Sequence, residues 1–156
     1  VSTTFVLDSS ALAAFNEMHE SDETVFDALN KWYDEDAIRF CDLVKDECRA
    51  AFQSEKIAVW ISPAYRGIRS KVQLAFADCS AVLEEVPELL DDDQDESEAQ
   101  GLRTMALALK LSREQPAEVV VVSAETVILE DRCSIPEACS ALNLKCISPA
   151  DFLALP

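Results

Sequence analysis

The sequence predicts an α/β protein in a single domain, residues 1–156, with a mostly parallel sheet of four or five strands packed between helices. Three observations predict it. Short apolar runs alternate with amphipathic stretches along the whole chain. The run Val119-Val120-Val121-Val122 is β-branched throughout, as expected of a central parallel strand buried on both faces. Two such runs, this one and Phe5-Val6-Leu7, end in small hydroxyl residues and an acid, where open α/β sheets carry their ligands.

Taken in order, Phe5-Val6-Leu7 reads as a buried strand ending at Asp8, followed by a helix over about Ser10–Asn16. Asp8 has two readings at this point: a group poised for chemistry, or the N-cap of that helix. Asp22 can cap a helix over Glu23–Tyr33, where Val25, Phe26, Leu29, Trp32 and Tyr33 share a face and predict core. Ala37–Phe40 is a weak strand. Asp42 then starts a helix in which Glu47 follows Leu43 and Val44 at spacings of four and three, placing an acid on their stripe. Such an acid costs free energy unless something pairs with it, so Glu47 is either an edge position open to water or a metal ligand.

Ser97 and Gln100 have the spacing of a capping box that starts a helix at Glu98 and runs on through Leu102, Met105, Leu109 and Leu111. Ser134-Ile135-Pro136-Glu137 starts a short helix by the same logic. Leu144–Ile147 is a last strand, and Pro149–Leu153 a closing helical turn.

With 30 acidic against 13 basic residues the net charge is −17, which argues against a general DNA-coating role. Against that background residues 56–77 contain no Asp or Glu, and hold Lys56, Arg66, Arg69 and Lys71 with Trp60, Tyr65 and Phe76 among them. Guanidinium and ammonium groups meet phosphates, and unpaired bases stack on aromatic rings, so the stretch is a candidate RNA-binding surface. The alternative is an ordinary helix with a positive face and buried rings.

The six cysteines form no C-x-x-C pair and only His19 could join them, so they read as small buried apolar residues. The start VSTTFVLDSS lacks the basic and long apolar regions of a signal peptide, and no run approaches a membrane span. The expected compartment is the cytoplasm, with no membrane partner.

Asp8, Glu47, Glu98 and Glu125 thus stand at comparable places, and clustered carboxylates call for a hard cation, Mg2+ or Mn2+. Here the sequence resembles the PIN-domain family, which includes the VapC-type toxin ribonucleases. The resemblance lies in FVLDSSALAAF, LVKDECRAAF and VVVVSAETVI…IPEACSALNLKCISPADFL. It implies a three-layer α/β/α fold and divalent-metal-dependent hydrolysis of RNA phosphodiesters. The corresponding partners are RNA, an antitoxin protein if the chain is the toxin of a toxin–antitoxin pair, and a second copy in a homodimer. By the same resemblance Asp8, Glu47, Glu98 and Glu125 are the catalytic metal ligands, with Ser10 and Ser123 supporting them. One departure stands out: Gly101 occupies the place where the family has its third acid, with Glu98 one helical turn earlier. A domain that has lost cleavage, and binds protein or RNA without cutting, is the alternative reading.

Overall fold

The computed structural model of the 156-residue chain describes residues 2–68, 71–90, 99–115, 117–125 and 132–156. Among the described residues, four parallel strands form one sheet in the order β2-β1-β3-β4: β1 (Thr3–Leu7), β2 (Ile38–Arg39), β3 (Glu118–Val122) and β4 (Lys145–Ile147). The helices are α1 (Ser9–His19), α2 (Val25–Asp34), α3 (Asp42–Phe52), α4 (Lys56–Gly67), α5 (Phe76–Glu85), α6 (Gln100–Glu114), α7 (Ile135–Ala141) and α8 (Pro149–Leu153), with a 3-10 turn over Pro87–Leu89. The chain is an α/β protein whose parallel sheet is flanked by helices. Among the described residues, no helix is long and apolar enough to cross a membrane.

The sheet's centre is the pair the sequence singled out. β1 and β3 pair in register from Thr3↔Glu118 to Leu7↔Val122. Val6, Leu7, Val121 and Val122 are wholly buried, as strands covered on both faces must be. Because the register is parallel and unbroken, the residues after Leu7 and Val122 emerge side by side: Asp8 beside Ser123. β2 and β4 flank this pair and bring Cys41, Asp42 and Ser148 out on the same rim, at the carboxyl ends of the strands.

Several helices differ from expectation in length or start. α1 runs three residues beyond the expected Asn16, since no Pro or Gly interrupts Glu17-Met18-His19. α2 begins at Val25 because Asp22 is used in a local turn, its Oδ1 accepting from Thr24 N at 2.9 Å and Thr24 Oγ1 at 2.6 Å. On α2 the expected stripe is core: Val25, Phe26 and Leu29 are buried, while Trp32 and Tyr33 pack half-buried against it. Ser134 caps α7 reciprocally with Glu137. The expected box at Ser97 lies outside the described residues; α6 is described from Gln100. Of the cysteines, Cys41, Cys48, Cys79 and Cys139 are buried as read, and Cys133 and Cys146 are partly exposed.

Gly67 ends α4 under close constraint. A Cβ there would lie 2.0 Å from the hydroxyl of Tyr33, which donates to Ala64 O at 3.0 Å. The absent side chain lets α2 be pinned to the end of α4.

Candidate functional site

Asp8 is fully buried at the point where β1 hands over to α1. At the carboxyl end of β1 it is the N-cap of α1, Oδ1 accepting from Ala11 N at 2.8 Å. Ser10 Oγ donates to Oδ1 at 2.7 Å, and Ser123 Oγ donates to Oδ2. The two hydroxyls lie 3.2 Å apart, and Ser10 Oγ in turn accepts from Ala124 N at 2.9 Å. Ser10 and Ser123 therefore hold Asp8, and with Ala11 N give it donors on both oxygens. Burial nonetheless dominates, pushing the Asp8 carboxyl up to about 6 against the opposing pull of the Ser123, Ser10 and Ala11 hydrogen bonds; the charge of Glu125 adds to the rise.

Glu125, just past β3, is held in a different way. Its Oε1 and Oε2 take Arg132 Nη1 at 3.0 Å and Nη2 at 2.6 Å, a two-point fork, and Oε1 also accepts from Ile135 N at the start of α7. Both side chains are largely buried, with 10% of Glu125 and 21% of Arg132 exposed. Arg132 is held above its usual range by Glu125 first, and by Asp8 as well. The positive charge beside these two acids is thus a guanidinium of the chain itself. No spacing rule points to Arg132, because it reaches Glu125 from outside any helix.

Glu47 is held differently again, through Ser9, the neighbour of Asp8. α3 buries only Val44 and Cys48; Leu43 is half-buried, and Glu47 is exposed, accepting from Ser9 Oγ at 2.6 Å. The stripe is narrower than the sequence suggested, and Glu47 falls on its solvent edge. Glu98 lies outside the described residues. Gly101 sits buried in the first turn of α6, where a Cβ would lie 3.5 Å from Ile135 Cδ1 and 3.9 Å from Arg132 Cζ. The position expected to carry an acid instead abuts the arginine.

These placements correct the expected chemistry. Among the described residues, no group of three or more His, Cys, Asp or Glu side chains could hold a metal ion. Asp8, Glu47 and Glu125 are each engaged by the protein's own donors. The divalent-metal-dependent ribonuclease with Mg2+ or Mn2+ on these carboxylates is therefore not supported, nor is the hydrolase or toxin activity that followed from it.

The acid-free stretch divides. Lys56 starts α4, with its ammonium 4.7 Å from the centre of the Phe26 ring, in a hollow shared with His19, Glu20, Glu23 and Asp27. Arg66 is exposed at the other end of the helix, about 15 Å further on at 1.5 Å per residue. Arg69 lies outside the described residues. Trp60 is half-buried against the core, its Nε1 donating to Asn30 Oδ1 at 2.9 Å, while Phe76 is exposed.

Lys71 belongs to a feature the sequence did not disclose. A cavity of about 440 Å3 opens at the carboxyl end of β2, lined by Arg39, Lys71 and Arg103 together with Asp42 and Tyr65. The ammonium groups of Lys71 and Lys45 lie 4.6 and 4.7 Å from the centre of the Tyr65 ring. Arg103 holds Asp42, Nε to Oδ1 at 3.1 Å and Nη2 to Oδ1 at 3.0 Å. One turn away on α6, Gln100 Oε1 accepts from Ser9 N and from Thr104 Oγ1, both at 3.4 Å, and Thr104 lies 3.8 Å from Cys41 Sγ. α6 thus links the cavity to the start of α1 and the acids behind it.

No curated protein and no solved structure matches the chain. The family that matches is neither the PIN family nor a toxin–antitoxin one: residues 5–155 match DUF4411, described as a domain of unknown function. That match covers nearly the whole chain, so the chain belongs to the DUF4411 family.

Proposed function

We propose that this chain is a non-catalytic RNA-binding domain, built on a PIN-like frame whose acids hold the structure together. The observation that carries this reading is the convergence of Lys45 and Lys71 on Tyr65, beside Arg103 and Arg39, in a chain of net charge −17. In so acidic a protein such a concentration of cations around one aromatic side chain suits a phosphate backbone. Further support comes from the neighbouring carboxylates. Asp8 and Glu125 are taken by serines and by Arg132, so the site can sit beside RNA without a cleaving ion.

The test is binding of single-stranded RNA across about 50–200 mM salt, where each phosphate contact contributes a slope of about −0.7 in log affinity against log salt. The expected outcome is saturable, salt-sensitive binding, weakened by Lys71→Ala and with a slope shallower by about 0.7. Binding that ignores salt, or that Lys71→Ala leaves intact, would end this reading.

A further inference from the structure

We propose that the cavity at the end of β2 binds a nucleoside monophosphate, either as the free nucleotide or as the 5′-terminal residue of an RNA strand. The second source rests on the RNA-binding reading above, whereas the pocket itself does not. Three observations carry the proposal.

The first is an unmatched donor. The Arg39 side chain is only 6% exposed and lines the cavity. Its Nη1 donates to Asp36 O and Ile38 O, each at 2.9 Å, and pairs with Asp36 Oδ1 at 3.2 Å. Its Nε has no acceptor among the described residues and is closed to solvent, so it meets a ligand in the cavity only once the side chain turns toward it. A buried N–H on a cation carries the full desolvation cost when nothing accepts from it, so such groups in folded proteins point to a missing acceptor. A phosphate oxygen suits a guanidinium edge.

The second is the distribution of charge. Among the described residues, Arg39, Lys71 and Arg103 line the cavity against one carboxylate, Asp42. The acids that pair with Arg39 and Lys45, namely Asp36 and Asp46, are 38% and 58% exposed and do not line it. The exposed Lys45–Asp46 pair holds its cation weakly, and Lys71 has no ion pair among the described residues, which leaves these ammonium groups available to an incoming dianion, while Arg39 is tied to Asp36 and two carbonyls.

The third is size and lining. About 440 Å3 falls within the roughly 300–1,000 Å3 of small-molecule sites. Phe40, Ile68, Val72, Leu74 and Leu107 make the remaining wall largely apolar. Inorganic phosphate would leave that wall uncovered, whereas a base and ribose would cover it. The cavity also occupies the sheet's carboxyl rim, the favoured location for ligands in parallel α/β folds.

The experiment titrates the whole chain calorimetrically with AMP, GMP, CMP and UMP, with inorganic phosphate, and with the unphosphorylated nucleosides. In parallel, it compares single-stranded RNA carrying a 5′-phosphate with the same RNA carrying a 5′-hydroxyl. At least one monophosphate is expected to bind at least tenfold more tightly than phosphate or its own nucleoside. Arg103→Gln with Lys71→Ala should weaken it at least tenfold while circular dichroism and melting stay unchanged, and Lys145→Ala, remote from the cavity, should leave it intact. Preference for the 5′-phosphorylated RNA assigns the site to an RNA end; monophosphate binding without that preference assigns it to the free nucleotide. If no monophosphate binds at millimolar concentration, or if phosphate alone binds as well, the proposal is overturned even where RNA binds. Monophosphate binding in a chain that binds no RNA upholds the pocket and overturns the preceding reading instead.

Discussion

Two polar regions share the carboxyl rim of the sheet, and they are finished in opposite ways. At the ends of β1 and β3, Asp8 and Glu125 have donors on every carboxylate oxygen, drawn from serines, backbone amides and Arg132. At the end of β2, cations line a cavity and one buried donor, Arg39 Nε, has no partner among the described residues. The difference teaches where to look for function in this domain. A polar cluster that satisfies itself contributes to folding, while one that is left unsatisfied waits for something else.

The comparison is broken most severely at Arg132. Arg132→Gln leaves Glu125 largely buried without its charge partner, next to Asp8, and is expected to cost on the order of 3 kcal/mol in urea unfolding. Adding Glu125→Gln should restore most of it, because the uncompensated charge is then gone. If the two losses simply add, the fork is not a unit and the acids are not self-contained.

Next comes Asp8. Its folded carboxyl titrates at about 6 against an ordinary 3.8, so between those values the folded chain keeps a proton that the unfolded chain has lost. Its contribution is therefore full below about pH 4 and is lost as pH rises through about 6, by at most on the order of 3 kcal/mol. Asp8→Asn, which keeps a side-chain cap, is expected to flatten stability between pH 4 and 6.5 and to leave the variant at least as stable as the parent at pH 8. A parent protein whose unfolding midpoint does not fall over that interval would show that the serine hydrogen bonds, rather than burial, govern Asp8.

On the cavity side, Gly67→Ala forces a methyl group into the path of the Tyr33 hydroxyl, and should cost about 1–3 kcal/mol. The Tyr33→Phe background should relieve much of that loss. Thermal melts of the four proteins decide it, and equal losses in both backgrounds would refute the contact. The smallest stability effect belongs to Lys71→Ala. Lys71 is exposed and is expected to change stability by less than about 0.5 kcal/mol while lowering RNA affinity. A variant that melts much earlier would mean that Lys71 holds the cavity together and does not wait for a ligand.

Strand ends were legible because parallel pairing is a simple rule: two apolar runs in register deliver their next residues together, and Asp8 meets Ser123 as a result. Helix starts were legible where a side-chain cap marks them, as at Ser134. The choice between the two readings of Glu47 was illegible because a spacing of three or four specifies a direction around the helix and leaves the width of the buried stripe open; here Val44 and Cys48 fill it and Glu47 takes the edge. Arg132 was illegible because its partner lies outside any repeating geometry. The cavity was illegible because its wall comes from β2, α4, the 71–74 stretch and α6, which only the packed fold brings together.

The sheet tapers from two central strands of five residues to edges of two and three residues, β2 and β4. Edges this brief present few unpaired amides and carbonyls, too few to template a further strand from another chain. Strand addition at these edges, as described, is thereby disfavoured, and a partner docking on them is read mainly by side chains.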